Sequence, residues 1–137
     1  MMQEILFRGK AANRNPKRSY RTKYKNGDWV YGLLTNIENY YAGFAEMINT
    51  NGVSGIEVDK NTVGQFTGLT DKNGKKIFEG DIIGYKGHTG YVNYDFGCFC
   101  VHEMGHSKNN PAIDIVMCCN AVKVIGNIHD NPELLED

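Results

Sequence analysis

Between Thr62 and Gly87 the chain reads TVGQFTGLTDKNGKKIFEGDIIGYKG, and this segment constrains the fold more than any other. Asp71-Lys72-Asn73-Gly74 is a turn signal, because Asn-Gly readily supplies the positive φ that a tight reversal needs. Short apolar runs flank it, and Glu79-Gly80-Asp81 leads into a further strand. The segment therefore predicts a hairpin followed by another strand, with no catalytic set inside it. The rest of the composition agrees: sixteen glycines against three prolines favour tight turns, and eight tyrosines with six phenylalanines favour strands. At 137 residues and 41% hydrophobic content the chain is the size of one ordinary domain and can bury a core.

Reading outward, Glu4 to Arg8 is expected as a first strand with Ile5 and Phe7 on one face, and Trp29 to Thr35 as a strand after the Asn26-Gly27 turn. Asn39 to Asn49 fits helical spacing as well as strand, and strand is the expectation taken here. Gly55 to Val58 and Thr62 to Phe66 are short strands. Asp81 to Lys86, Gly90 to Asp95 and Phe99 to Glu103 form a meander turning at Gly87-His88 and Phe96-Gly97. Ala112 to Cys119 and Ala121 to Ile125 read as its last strands. Asn131 as an N-cap before Pro132 predicts a short terminal helical turn. The expected fold is mainly β with little helix. Antiparallel strands form a small barrel-like C-terminal part (about 61–130), with an N-terminal β section (about 1–60) packed on it, as one domain over 1–137. No apolar run approaches the roughly 18 residues of a membrane span, and the start lacks a secretion-signal pattern, so a cytoplasmic protein is expected.

The formal net charge of −1 hides an uneven distribution. Arg8, Lys10, Arg14, Lys17, Arg18, Arg21, Lys23 and Lys25 gather in the first 25 positions, while Asp130, Glu133, Glu136 and Asp137 close the chain. The stretch Ala11 to Lys25 is polar, basic and proline-containing, and reads as a long loop. Its cations interleave with Tyr20 and Tyr24, a pattern that can meet phosphates and stack on unpaired bases. The competing reading is a solvated surface loop, or one that pairs with the acidic C-terminal end.

Cys98, Cys100, Cys118 and Cys119 are expected as reduced thiols that pack as small hydrophobes. Cys98 and Cys100 should share one face of a strand, and neither pair has the two-residue gap of a zinc knuckle. His102-Glu103-Met104-Gly105-His106 matches the zinc-peptidase pattern His-Glu-x-x-His, which requires both histidines on one helix face with the glutamate activating a bound water. Its surroundings read as strand, turn and strand. Pro111 opposes a helix at Asn110, and Asn109 and Ala112 stand where an extended metalloprotease pattern needs glycine and a third histidine. The expectation is a strand end, with Phe99 and Val101 on one face and Cys100 and His102 on the other. Catalytic, cofactor and metal residues are accordingly set at none.

The Thr62–Gly87 segment resembles the signature of the YopX family, small proteins encoded by bacteriophages and prophages. Ile5-Leu6-Phe7-Arg8-Gly9-Lys10, Asn26-Gly27-Asp28-Trp29-Val30-Tyr31-Gly32 and the closing Val124-Ile125-Gly126-Asn127-Ile128-His129-Asp130-Asn131-Pro132-Glu133-Leu134-Leu135-Glu136 resemble it in the same order. In that family the first two words are expected closer together, which makes the basic stretch between them a lengthened loop. The resemblance implies no biochemical activity. With the missing catalytic set, it leads to the expectation of a non-enzymatic module that binds a host or phage macromolecule. A protein partner is favoured, and nucleic acid held by Arg8, Arg14, Lys17, Arg18, Arg21, Lys23 and Lys25 is the alternative. A zinc hydrolase is the second alternative, and strand edges allow a homo-oligomer.

Overall fold

The computed structural model describes residues 4–12, 24–36, 43–85, 87–95, 97–103 and 113–135. They are mainly antiparallel β, as the turn chemistry predicts. The chain divides into two compact units, Met1–Gln65 and Phe66–Asp137.

In the first unit, β1 (Phe7–Lys10), β2 (Trp29–Asn36), β3 (Phe44–Asn49) and β4 (Ile56–Asp59) pair in the order β4-β3-β2-β1. β1 also pairs through Phe7 and Arg8 with Gln65 and Gly64, the first residues of β5 (Gly64–Thr70). The first strand begins later than its sequence pattern suggests, and Ile5 precedes it, 65% exposed. Alternation places Val30, Met47, Ile56 and Val58 on one face, where they form a core with Ala11 and Ala45. Gly32 faces the same way and pairs with Phe7 and Asn49. A short 3-10 turn, Lys60–Thr62, takes the place of the early part of the strand expected from Thr62. Asp59 caps it by accepting the Asn61 N–H, and the Thr62 hydroxyl accepts the Lys10 N–H.

In the second unit, β5 turns back on β6 (Lys76–Phe78), with Phe66 opposite Phe78 and Thr70 opposite Lys76. Then β7 (Asp81–Tyr85), β8 (His88–Asp95), β9 (Cys98–Glu103), β10 (Ile113–Asp114) and β11 (Lys123–Asn127) form a sheet ordered β10-β9-β8-β7-β11. The sheet is open: among the described residues β10 and β11 are its two ends and do not pair, so no barrel closes. Ile77, Ile83, Val92, Ile115, Cys119, Val122 and Val124 make the core. The expected strand from Ala112 to Cys119 is instead a two-residue bridge followed by α1 (Ile115–Cys118), one helical turn closed by Cys119 N–H donating to the Ile115 carbonyl. From Ile115 to Cys119 the run is apolar throughout and carries no periodicity to separate these outcomes.

The signature words turn out to be fasteners. Asp71 is 5% exposed, and its carboxylate accepts N–H bonds from Asn73 at 2.8 Å, Lys75 at 2.9 Å and, 53 positions away, Val124 at 2.9 Å. Gly74 sits at φ +82° in the same turn, where glycine pays no Cβ penalty. Asp81, 2% exposed, accepts the Phe78 N–H at 2.7 Å and so braces the step into β7. In the terminal word, the Asn127 side chain accepts from His129 and Asp130. Asn131 points its side-chain oxygen back to the Asn127 N–H rather than forward as a cap, and the 3-10 turn Pro132–Leu135 follows.

Candidate functional site

β2 is apolar on both faces. Val30 is fully buried inward, but the alternate residues Tyr31 and Leu33 are 40% and 46% exposed on the outward face, with Trp29 half-buried at the strand's start. Antiparallel sheets with one wet face normally alternate apolar and polar residues, and β2 does not. Ile48 of β3 stands opposite Leu33, and Arg8 of β1 stands opposite Tyr31, which extends this outward face across three strands. Over Trp29 lie the Arg8 guanidinium, 4.7 Å from the ring centroid, and the Lys10 ammonium at 5.5 Å. Both distances are within the range where a ring's negative face attracts a cation. Trp29 is therefore held against the sheet by its neighbouring cations, whereas Tyr31 is 40% exposed. It projects outward.

The basic stretch starts and ends beside this face. Ala11 N–H donates to the Asp28 carbonyl, Gly27 N–H to the Ala11 carbonyl and Ala12 N–H to the Glu57 carbonyl, so the two ends of the excursion are pinned where β1 leaves and β2 begins. Arg14, Lys17, Arg18, Arg21, Lys23 and Tyr20 lie outside the described residues. Lys25 is exposed, while Arg8 is 6% exposed and engaged with Trp29. Tyr24 packs against the core and its hydroxyl accepts an N–H from Asn49 at 3.2 Å, so it is a structural residue rather than a stacking surface.

His102 and Glu103 end β9 in register with Tyr91 and Gly90. A helix carrying both residues of the zinc pattern is therefore not what forms at these positions, and His106 lies outside the described residues. The His102 ring stacks on Tyr91 with centroids 5.2 Å apart, and its Nε2 lies 2.7 Å from the Asp95 carboxylate. Phe99 and Val101 pack on the core, as alternation requires. Among the described residues no three His, Cys, Asp or Glu side chains converge as a metal site. His88 begins β8 and is exposed, in the hairpin position its sequence indicates.

The chain is thus a small antiparallel β protein whose β2 leaves Tyr31 and Leu33 exposed on its outward face. The sequence model of the YopX protein family matches residues 14–136, and the chain belongs to that family. It is also similar to the protein described as "Crystal structure of protein EF1440 from Enterococcus faecalis", at 25% identity and a TM-score of 0.56, covering 98% of this chain and 100% of that one. A comparison with curated proteins found no match. Among the described residues no helix is long and apolar enough to cross a membrane.

Proposed function

We propose that this chain is a non-enzymatic macromolecule-binding module, an accessory protein of phage or prophage origin, and that it binds a protein partner through the outward face of β2. The observation that carries this reading is the exposure of Tyr31 and Leu33 on a strand whose inward face is already buried. An exposed aromatic residue in an apolar patch on a paired strand is of the kind that protein interfaces concentrate at their centres. Family membership supports the phage setting and names no reaction.

The test is affinity capture from bacterial lysate with and without nuclease, comparing the natural chain with Tyr31→Ser/Leu33→Ser. A discrete protein retained after nuclease is expected for the natural chain. The double variant should bind it at least about 30-fold more weakly, equivalent to about 2 kcal/mol. Its thermal midpoint should stay within a few degrees, because neither side chain is in the core. Undiminished capture by the double variant would remove this face from the function.

A second reading has its own observation, the pinning of the basic stretch beside Trp29. Nucleic-acid binding by that stretch would draw on the charges of Arg18, Arg21 and Lys23. Changing these three to Gln should then lower the dependence of log affinity on log salt by about two units for single-stranded DNA, as the released counterions are lost. Unchanged affinity and salt slope would exclude the basic stretch as a nucleic-acid contact.

A further inference from the structure

Cys98 and Cys100 are the first and third residues of β9, and strand alternation turns both toward one face. Their sulfur atoms are 3.1 Å apart. Both thiols also point at the Asp95 carbonyl, at 3.4 Å from Cys98 and 3.7 Å from Cys100. A backbone acceptor at the base of the hairpin therefore gathers the two sulfurs. The pair does not belong to the core that Val92, Phe99 and Val101 complete, because those residues occupy the opposite parity of the same hairpin. Cys118 and Cys119 differ: Cys119 is part of that core and Cys118 packs against it.

We propose that Cys98 and Cys100 form a dithiol site that exchanges reversibly with small-molecule disulfides of the glutathione type. Cys98 is half-buried, whereas Cys100 is 5% exposed, so the geometry assigns Cys98 as the attacking thiol and Cys100 as the resolving one. In the first step the Cys98 thiolate attacks one sulfur of the small disulfide RSSR. The RS–SR bond breaks, RS⁻ leaves and takes up a proton, and Cys98–S–S–R remains. In the second, the Cys100 thiolate attacks the Cys98 sulfur, the S–S bond between Cys98 and the RS group breaks, and a second RS⁻ leaves and is protonated. Two cysteine thiols are oxidised to one disulfide, and one RSSR is reduced to two RSH.

Closure asks the sulfurs to approach by about 1 Å, to the bonded separation of about 2.05 Å. Residues two apart on an extended strand have Cα atoms about 6.6 Å apart, near the upper limit for a disulfide. A bridge between them is therefore readily reopened by thiols, which suits an exchanging site rather than a structural crosslink.

The experiment uses the full chain treated with oxidised glutathione, alkylated without reduction, digested with trypsin and analysed by mass. Cleavage at Lys86 and Lys108 releases residues 87–108, which hold Cys98 and Cys100, apart from residues 109–123, which hold Cys118 and Cys119. The expected product is peptide 87–108 short of two hydrogens and without alkyl groups, restored to two alkylated cysteines by dithiothreitol before blocking. Cys100→Ser should accumulate a glutathione adduct on Cys98. Cys98→Ser should form an adduct on Cys100 at least about tenfold more slowly, since access limits the buried thiol. Full alkylation of both cysteines in the treated natural chain would overturn the proposal, whatever the variants do. Equal adduct formation in the two variants would overturn the assigned order of attack.

Discussion

Replacing Asp71 by Ala should destabilise the protein by about 3–4 kcal/mol, read as a shift of the urea midpoint at unchanged slope. Three backbone N–H groups lose a charged acceptor at once. Those of Asn73 and Lys75 lie in a turn that water can reach, but the Val124 bond is buried and its donor has no such recourse. Asp71→Asn keeps the shape and one carbonyl oxygen, and should cost about half as much. The two variants also separate by pH. Burial alone pushes the Asp71 carboxyl upward, but the bonds from Val124, Lys75 and Asn73, together with the Lys75 charge, outweigh it and hold the pKa below its ordinary value of 3.8. With a folded pKa depressed, the unfolded chain binds more protons in the window between the two values, so stability rises with pH there. This contribution is complete above pH 3.8 and disappears as the pH falls through the folded value. An acid titration of the unfolding free energy should show that component in the natural chain and not in Asp71→Asn. Identical acid profiles would show that Asp71 does not act as a charged acceptor.

Gly32→Ala should be at least as damaging, at about 3 kcal/mol or more, and by another route. A Cβ at Gly32 would overlap the Ile48 carbonyl oxygen and come within 2.8 Å of the Asn49 Cα. Both obstacles are backbone of the paired strand, so no side-chain rotation relieves them, and β2 and β3 must separate. Gly74→Ala provides the contrast. Its site has no atom within 4 Å of the new Cβ, so only its positive φ is strained, and the cost should be about 1 kcal/mol. Calorimetry on the pair distinguishes a steric glycine from a conformational one. Comparable losses for both would mean that β3 yields to β2 more easily than this close approach allows.

Features encoded within a few residues were legible before the structure. The β7–β8–β9 meander, its glycine turns, the shared face of Cys98 and Cys100 and the strand reading of His102 all follow from alternation and turn chemistry, which act locally. What escaped depends on partners distant in sequence. Asp71 reads as a turn residue, and nothing near it announces Val124. Residues 115–119 are apolar without a period, so a bridge and a helical turn read as a strand. On β2, apolar residues at both parities identify a strand, but they do not say that Tyr31 and Leu33 stay exposed on its outward face. The cations of residues 14–23 were visible as charge alone, and their arrangement lies outside the described residues.

The hydrogen bonds joining Ala11, Asp28 and Gly27, with Ala12 on Glu57, close the chain at the two ends of the basic stretch. The chain that leaves at Ala12 and returns at Tyr24 is thereby anchored at both ends by backbone bonds that do not involve the side chains between them. Doubling the length of such an excursion adds only about 0.6 kcal/mol of closure entropy. Added length between these two anchors therefore costs the scaffold little in closure entropy.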